Sequence, residues 1–210
     1  MAQGDYRIVV KPAGVMVLVT VGTANTICGL MKSSRDNVPT LLMAGRTPLT
    51  ETGNIGSRNV GIHWGQENFD QGGMVREYVK WDYELRNDQP VETLIGRALD
   101  IANSEPRGPV YLTLPREVLG SNAKSLGKSP RSRPAGSSVS IPDISTLERV
   151  SDLILKAEKP LIVSGKLGCR EYAFEVLDAF ATEFGLPVTL SLIHISEPTR
   201  RYAISYAVFC

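Results

Sequence analysis

The sequence is short of the residues that build disulfide frameworks and metal centres. It holds three Cys and two His among 210 residues, and Cys28 and Cys169 lie too far apart to form a thiolate metal pair. This excludes the disulfide-rich secreted class and favours a reducing compartment, so we expect a cytoplasmic protein. No apolar run approaches the roughly 18 residues of a membrane span, so we expect no membrane partner.

Neither sign of charge dominates, because 23 Lys and Arg stand against 22 Asp and Glu. This balance gives no electrostatic footprint for nucleic acid, and we expect no such partner. Basic side chains gather only in residues 119–142, which are also rich in Ser, Gly and Pro and have no aromatic residues between them. This composition predicts a solvated linker rather than a nucleic-acid-binding arm.

The sequence of residues 190–210 indicates a different origin from the rest of the chain. Residues 190–200, LSLIHISEPTR, resemble the direct translation of a sequencing adapter, and residues 204–210, ISYAVFC, resemble the translated primer that follows it. We expect this segment to be an adapter artefact, with the natural sequence breaking off near Thr189. The alternative is a genuine strand and tail.

What the sequence does contain is an alternation of strand and helix patterns. Residues 15–21, VMVLVTV, predict a strand of the kind buried inside a parallel sheet. The segment Gly22–Asn25 then predicts a turn into an amphipathic helix, and residues 40–44, TLLMA, predict the next strand. Together these form a βαβ unit, whose ligands bind at the carboxyl ends of the strands.

The remaining patterns extend this unit. Residues 91–103 predict a helix, and residues 78–83 and 110–114 (VYLTL) each predict a strand. Residues 1–14 predict no capped element of their own. Residues 45–66 predict a long loop, which inside an α/β domain is usually functional. We therefore predict an α/β fold with a parallel sheet and helices on both faces over residues 1–118. A linker over 119–142 and the start of a second α/β domain over 143–189 follow.

Most familiar chemical motifs are missing. His63 is the only histidine before residue 190, so neither a metal site nor a Ser-His-Asp arrangement can be picked out. Gly165-Lys166 matches the end of a phosphate-binding P-loop, but the motif's first glycine and its final hydroxyl residue are missing. No GxGxxG follows a strand. Gly22 and Asn25 fit a ligand contact, because glycine admits close approach and an amide offers donor and acceptor; a simple helix cap at Asn25 fits equally well.

Four stretches in order, GTANTICGLMKSSRDNVPTLLMAGRTP, WGQENFDQ, VKWDY and RGPVYLTLPREV, resemble the thiamine diphosphate-dependent enzymes. The group is that of acetolactate synthase and benzoylformate decarboxylase. The resemblance covers the pyrimidine-binding domain over about residues 4–118, and residues 141–189 resemble the beginning of the central domain. Because the motifs occur at family spacing, their combination is specific where each alone would be weak.

The resemblance implies a set of cofactor-binding residues. Gly22, Thr23, Ala24 and Asn25 correspond to a Gly-Ala-Thr-Asn turn that faces the aminopyrimidine ring, with the second and third residues exchanged. Gln66, in WGQE, corresponds to a glutamine near cofactor and substrate. Arg46 stands where many relatives carry Gln-Val, which favours a divergent branch over a plain acetolactate synthase.

The resemblance also implies the reaction and its partners. In the family a glutamate activates thiamine diphosphate, whose thiazolium carbanion attacks a 2-oxo acid, and Mg²⁺ holds the diphosphate across two protomers of a homodimer or homotetramer. No Glu precedes Glu51 here, so we expect no catalytic residue in this chain. The Gly-Asp-Gly segment that binds Mg²⁺ is expected beyond Thr189. We therefore expect an inactive fragment of a lyase or transferase; the alternative is a non-catalytic α/β module that binds a small molecule.

Overall fold

The computed structural model describes residues 1–86, 89–121, 141–165, 167 and 172–189. The predicted adapter segment, Cys169, Lys166 and most of the predicted linker lie outside these residues. The chain divides into two compact units, 1–139 and 140–210. The domain limits predicted at residues 118 and 143 stay predictions. No helix in the described part of the chain is long and apolar enough to cross a membrane.

The first unit contains a four-stranded parallel sheet in the order β1-β2-β4-β3. Its strands are β1 (Ala13–Val17), β2 (Thr40–Arg46), β3 (Asp82–Glu84) and β4 (Val110–Pro115). Its helices are α1 (Ala2–Val9), α2 (Val19–Arg35), α3 (Ile62–Gly65), α4 (Val91–Asn103) and α5 (Arg116–Gly120), with two 3-10 turns at Gly72–Met74 and Arg76–Tyr78. The predicted α/β fold is confirmed.

Apolar side chains fill both faces of this sheet. On one face Leu41, Val110 and Leu112 pack against Leu94 and Ala98 of α4. On the other face the core is completed by α2 and the segment before β3, through Leu30, Leu42, Ala44, Val75 and Tyr111. The central strands β2 and β4 are therefore covered on both sides, which is why they show no polar alternation.

The edge strand β1 is less covered than its sequence predicted. Met16 is 67% exposed and Leu18 is 75% exposed, and β1 pairs with β2 alone within the described sheet. The run 15–21 was also expected to be one strand; instead the strand ends at Val17 and α2 begins at Val19. The predicted turn Gly22–Asn25 was wrong, since these residues lie inside α2.

Residues 1–14 contain helix α1, which has no side-chain cap, as the sequence indicated. The helix is held by contacts distant in sequence: Gln3 and Arg7 bond Asp36, and Arg107 bonds Tyr6. Two smaller predictions were wrong. The strand expected at residues 78–83 starts only at Asp82. The loop expected at 45–66 contains the one-turn helix α3.

The second unit is described by itself. It has helices α6 (Ile144–Lys156) and α7 (Ala173–Phe184), and strands β5 (Ile162–Val163) and β6 (Val188–Thr189), which pair in parallel. The Asp143 side chain caps α6 by accepting a hydrogen bond from the Thr146 amide at 2.7 Å. The α/β pattern expected from residue 143 onward is thus present.

Candidate functional site

The start of α2 lies at the carboxyl edge of the sheet, where α/β proteins place ligands. Gly22 allows α2 to approach β1 closely, because a Cβ built at this position would lie 3.0 Å from the Val17 Cβ. Ala24 and Asn25 are exposed, whereas Thr23 is fully buried. The predicted tetrad is therefore split: two members face solvent and one faces the core.

Gln66 lies beside the same turn of α2. It follows α3 directly, is half-buried, and its backbone oxygen accepts a hydrogen bond of 2.7 Å from the Thr20 hydroxyl. The structure thus brings together the two segments predicted for cofactor binding, although they are 46 residues apart.

A buried polar network lies beneath this edge. The Gln71 amide nitrogen is 2.9 Å from the Gly45 carbonyl oxygen and 2.9 Å from the Tyr111 hydroxyl. The Tyr111 hydroxyl is in turn 2.9 Å from the Thr23 hydroxyl. Sequence reasoning missed both Gln71 and Tyr111. Tyr111 sits in a run typical of a buried strand, and nothing local marks its hydroxyl as a partner of α2.

The long loop after β2 is braced rather than free. The Arg58 side chain, only 6% exposed, forms ion pairs with Glu67 at 2.7 Å and Glu51 at 3.3 Å, and donates to the Pro48 carbonyl. The hydrogen bond from Arg58 lowers the pKa of Glu67 below its ordinary value and raises the pKa of Arg58. These contacts fix the conformation of the loop at the carboxyl edge of the sheet.

Helix α5, which directly follows β4, is bonded to the first part of this loop. The Glu117 carboxylate accepts hydrogen bonds from the Thr50 amide at 2.7 Å and the Thr50 hydroxyl at 2.9 Å. Burial acts to raise the pKa of Glu117, but these hydrogen bonds outweigh it and the pKa is lowered. Arg46 and Glu84 form an ion pair between the ends of β2 and β3. Arg46, which departs from the family pattern, is thus paired to a carboxylate.

Both amide and carboxylate side chains occur near this part of α2. Asn25 and Glu67 are exposed and Gln66 is half-buried. The described residues contain no group of three or more His, Cys, Asp or Glu that could hold a metal ion. His63 accepts a hydrogen bond from the Asn59 amide and lies 2.9 Å from Arg116. An amide side chain such as that of Asn25 offers both a hydrogen-bond donor and an acceptor.

Comparison with known proteins relates part of the chain to one enzyme family. The profile of the family described as "Thiamine pyrophosphate enzyme, N-terminal TPP binding domain" matches residues 1–74. The matched residues contain β1, α2, β2 and Gln66.

More particularly, the chain is similar to acetolactate synthases. It is 27% identical to the acetolactate synthase large subunit of Buchnera aphidicola over 94% of this chain, and 25% identical to the mitochondrial catalytic subunit of Aspergillus candidus over 91%. A Mycobacterium smegmatis enzyme provisionally described as thiamin diphosphate-dependent has a TM-score of 0.72 and 28% identity, covering 90% of this chain and 34% of that chain. The chain spans about a third of the length of these relatives.

Proposed function

We propose that residues 1–118 form the pyrimidine-binding side of a thiamine diphosphate site, with Gly22, Ala24, Asn25 and Gln66 at the cofactor. The observation that carries this proposal is the 2.7 Å contact between Thr20 and Gln66, which joins the two segments within the matched domain. Asn25 offers a donor and an acceptor to the ring edge, and Gly22 lets the helix backbone come close. Thr23 lies in the same segment of α2, but its side chain is buried.

The whole enzyme, in this proposal, cleaves or forms a carbon–carbon bond next to the carbonyl of a 2-oxo acid, as a lyase or transferase. The bound cofactor supplies an electron sink for that reaction. The residues of this chain bind and orient the pyrimidine and exclude water beneath it. We further propose that Mg²⁺ and the diphosphate are held by other residues, in a cytoplasmic homodimer or homotetramer.

We expect the 210-residue chain alone not to consume pyruvate, used as the simplest 2-oxo acid. The reason is that no Glu precedes Glu51, so the expected activating carboxylate is not supplied by this sequence. Steady consumption of pyruvate by the purified chain, above that of a heat-treated sample, would contradict this part of the proposal.

Ligand-observed NMR tests the binding site itself. The purified chain is mixed with thiamine diphosphate, with the aminopyrimidine alcohol alone, or with the thiazole alcohol alone. We expect saturation transfer to the pyrimidine protons of the first two and none to the third. Asn25→Ala and Gln66→Ala should each weaken the transfer severalfold.

The matched control is Asn103→Ala. Asn103 also carries an amide, but it bonds the Leu99 carbonyl at the end of α4 that leads into β4, on the opposite edge of the sheet. It should leave the transfer unchanged. Equally weak saturation transfer in wild type, Asn25→Ala and Gln66→Ala would contradict the proposed site. Tight binding of an unrelated small molecule would favour the alternative, a non-catalytic binding module.

A further inference from the structure

Gln71 is a buried side chain that the sequence did not single out. It is 2% exposed, and its amide nitrogen reaches the Gly45 carbonyl at 2.9 Å, the Tyr111 hydroxyl at 2.9 Å and the Thr23 hydroxyl at 3.3 Å. One amide thus joins the end of β2, the strand β4 and the helix α2. A buried polar group with this many partners is typical of a network that fixes one arrangement.

The hydrogen bonds in this network have a defined direction. The Thr23 hydroxyl donates its single proton to the Val19 carbonyl at 2.8 Å, so it must accept from the Tyr111 hydroxyl. The Tyr111 hydroxyl accepts from Gln71. The chain of donors therefore runs from Gln71 through Tyr111 and Thr23 to Val19, the first residue of α2.

Val19 is the point that most needs such support. Its φ is 44°, in the left-handed region that β-branched residues rarely adopt. Conformations of this kind persist where the surrounding structure over-determines them. Because the Thr23 hydroxyl bonds the carbonyl of this residue, the network fixes the direction in which α2 leaves the sheet.

We propose that Gln71, Tyr111 and Thr23 are positioning residues of the candidate cofactor site, and that Asn25 contacts the cofactor where Thr23 does not. This inference rests on the proposed function. Thr23 is fully buried and its hydroxyl is committed inside the protein, while Asn25 is exposed. Two residues along a helix are separated by about 200° around its axis, so the two side chains lie on opposite faces.

The first arm of the test needs no ligand. Hydrogen exchange of the full chain is compared for wild type, Thr23→Val and Tyr111→Phe. We expect exchange of amides 20–26 to become at least fivefold faster in both variants, with amides of α4 unchanged. Thr23→Ser keeps the hydroxyl and should restore the wild-type rates.

Thr40→Val is the matched control. It makes the same change at another buried threonine, whose hydroxyl has no hydrogen-bond partner. It should not make exchange at 20–26 faster. Wild-type rates at 20–26 in Thr23→Val and Tyr111→Phe would overturn the positioning role, whatever the ligand arm shows.

The second arm measures saturation transfer from the chain to thiamine diphosphate. Asn25→Ala should weaken it while leaving exchange at 20–26 unchanged, and Thr23→Val should weaken it only together with faster exchange. Weaker transfer in Thr23→Val at wild-type exchange rates would make Thr23 a direct contact and overturn the inference. Absence of transfer in wild type would instead refute the proposed function, and the exchange arm would still decide the network.

Discussion

Two glycines of the same helix should respond in opposite ways to the same substitution. Gly22 and Gly29 both lie within α2. A Cβ at Gly22 would lie 3.0 Å from the Val17 Cβ and 3.4 Å from the Val17 carbonyl carbon, whereas a Cβ at Gly29 would meet nothing within 4 Å. The pair therefore separates close packing from intrinsic helix propensity.

The magnitudes follow from this difference. Alanine in place of glycine in a helix interior stabilises by about 0.5–1 kcal/mol, and this gain is common to both variants. Forcing a methyl group into a packed contact costs about 1–3 kcal/mol. We expect Gly29→Ala to raise the free energy of unfolding. The free energy of unfolding of Gly22→Ala should be about 1–3 kcal/mol lower than that of Gly29→Ala. Strand β1 cannot simply retreat, because it is paired with β2 from Ala13 to Val17.

Urea unfolding followed by tryptophan fluorescence measures this gap directly. Both tryptophans of the chain, Trp64 and Trp81, lie in the first unit, so the signal reports that unit alone. Equal free energies of unfolding for Gly22→Ala and Gly29→Ala would refute the close approach of α2 to β1.

Three further predictions concern other parts of the chain. Thr40→Val should stabilise the first unit by about 1 kcal/mol in the same urea assay, because it removes a buried hydroxyl without a partner; a loss of stability would show that the hydroxyl is satisfied. Glu117 has a lowered pKa, so its contribution is complete above the ordinary value near 4.5 and is lost as the pH falls through the folded pKa. Glu117→Gln should therefore flatten the acid side of the curve of urea midpoint against pH, and an unchanged curve would contradict the shift. Gly185 ends α7 with a φ of 63°, so Gly185→Ala should cost about 1 kcal/mol in a thermal scan by circular dichroism, while Gly165→Ala should not.

The parts of the fold that were predicted correctly are those decided by local pattern. Helix α4 occupies the predicted residues 91–103, because Leu94, Ala98 and Ala102 repeat at helical spacing and meet the sheet. Strand β4 starts at the predicted Val110, since a short apolar run between a Gly-Pro pair and a polar exit fits a buried parallel strand. In both elements intrinsic preference and tertiary burial agree.

The boundary between β1 and α2 was mispredicted because preference and tertiary contacts disagree there. Val19, Thr20 and Val21 are β-branched, and their local preference is for a strand. Thr20, however, donates to Gln66, which is 46 residues away in sequence. Such contacts leave no local pattern in the sequence. The predicted strand therefore continued to the first glycine.

The candidate site was predicted as a region but not as a set of roles. Gly22, Asn25 and Gln66 do lie at one edge of the sheet, as the motif spacing implied. Gln71 and Tyr111 could not be predicted, because the hydroxyl that makes Tyr111 a partner of α2 bonds a residue 88 positions earlier. The cofactor-binding roles of Gly22, Thr23, Ala24, Asn25 and Gln66 stay predictions.

The exchanged order of Thr23 and Ala24 acquires a physical meaning from this geometry. Neighbouring residues on a helix point about 100° apart, so a hydroxyl moved from position 23 to position 24 would pass from the core to the exposed face. Tyr111 would then keep the hydrogen bond from Gln71 but lose the acceptor for its own proton, at a site with no exposure to water. The order Thr-Ala is therefore coupled to a tyrosine on β4. A relative with the opposite order must satisfy the residue at that strand position in another way.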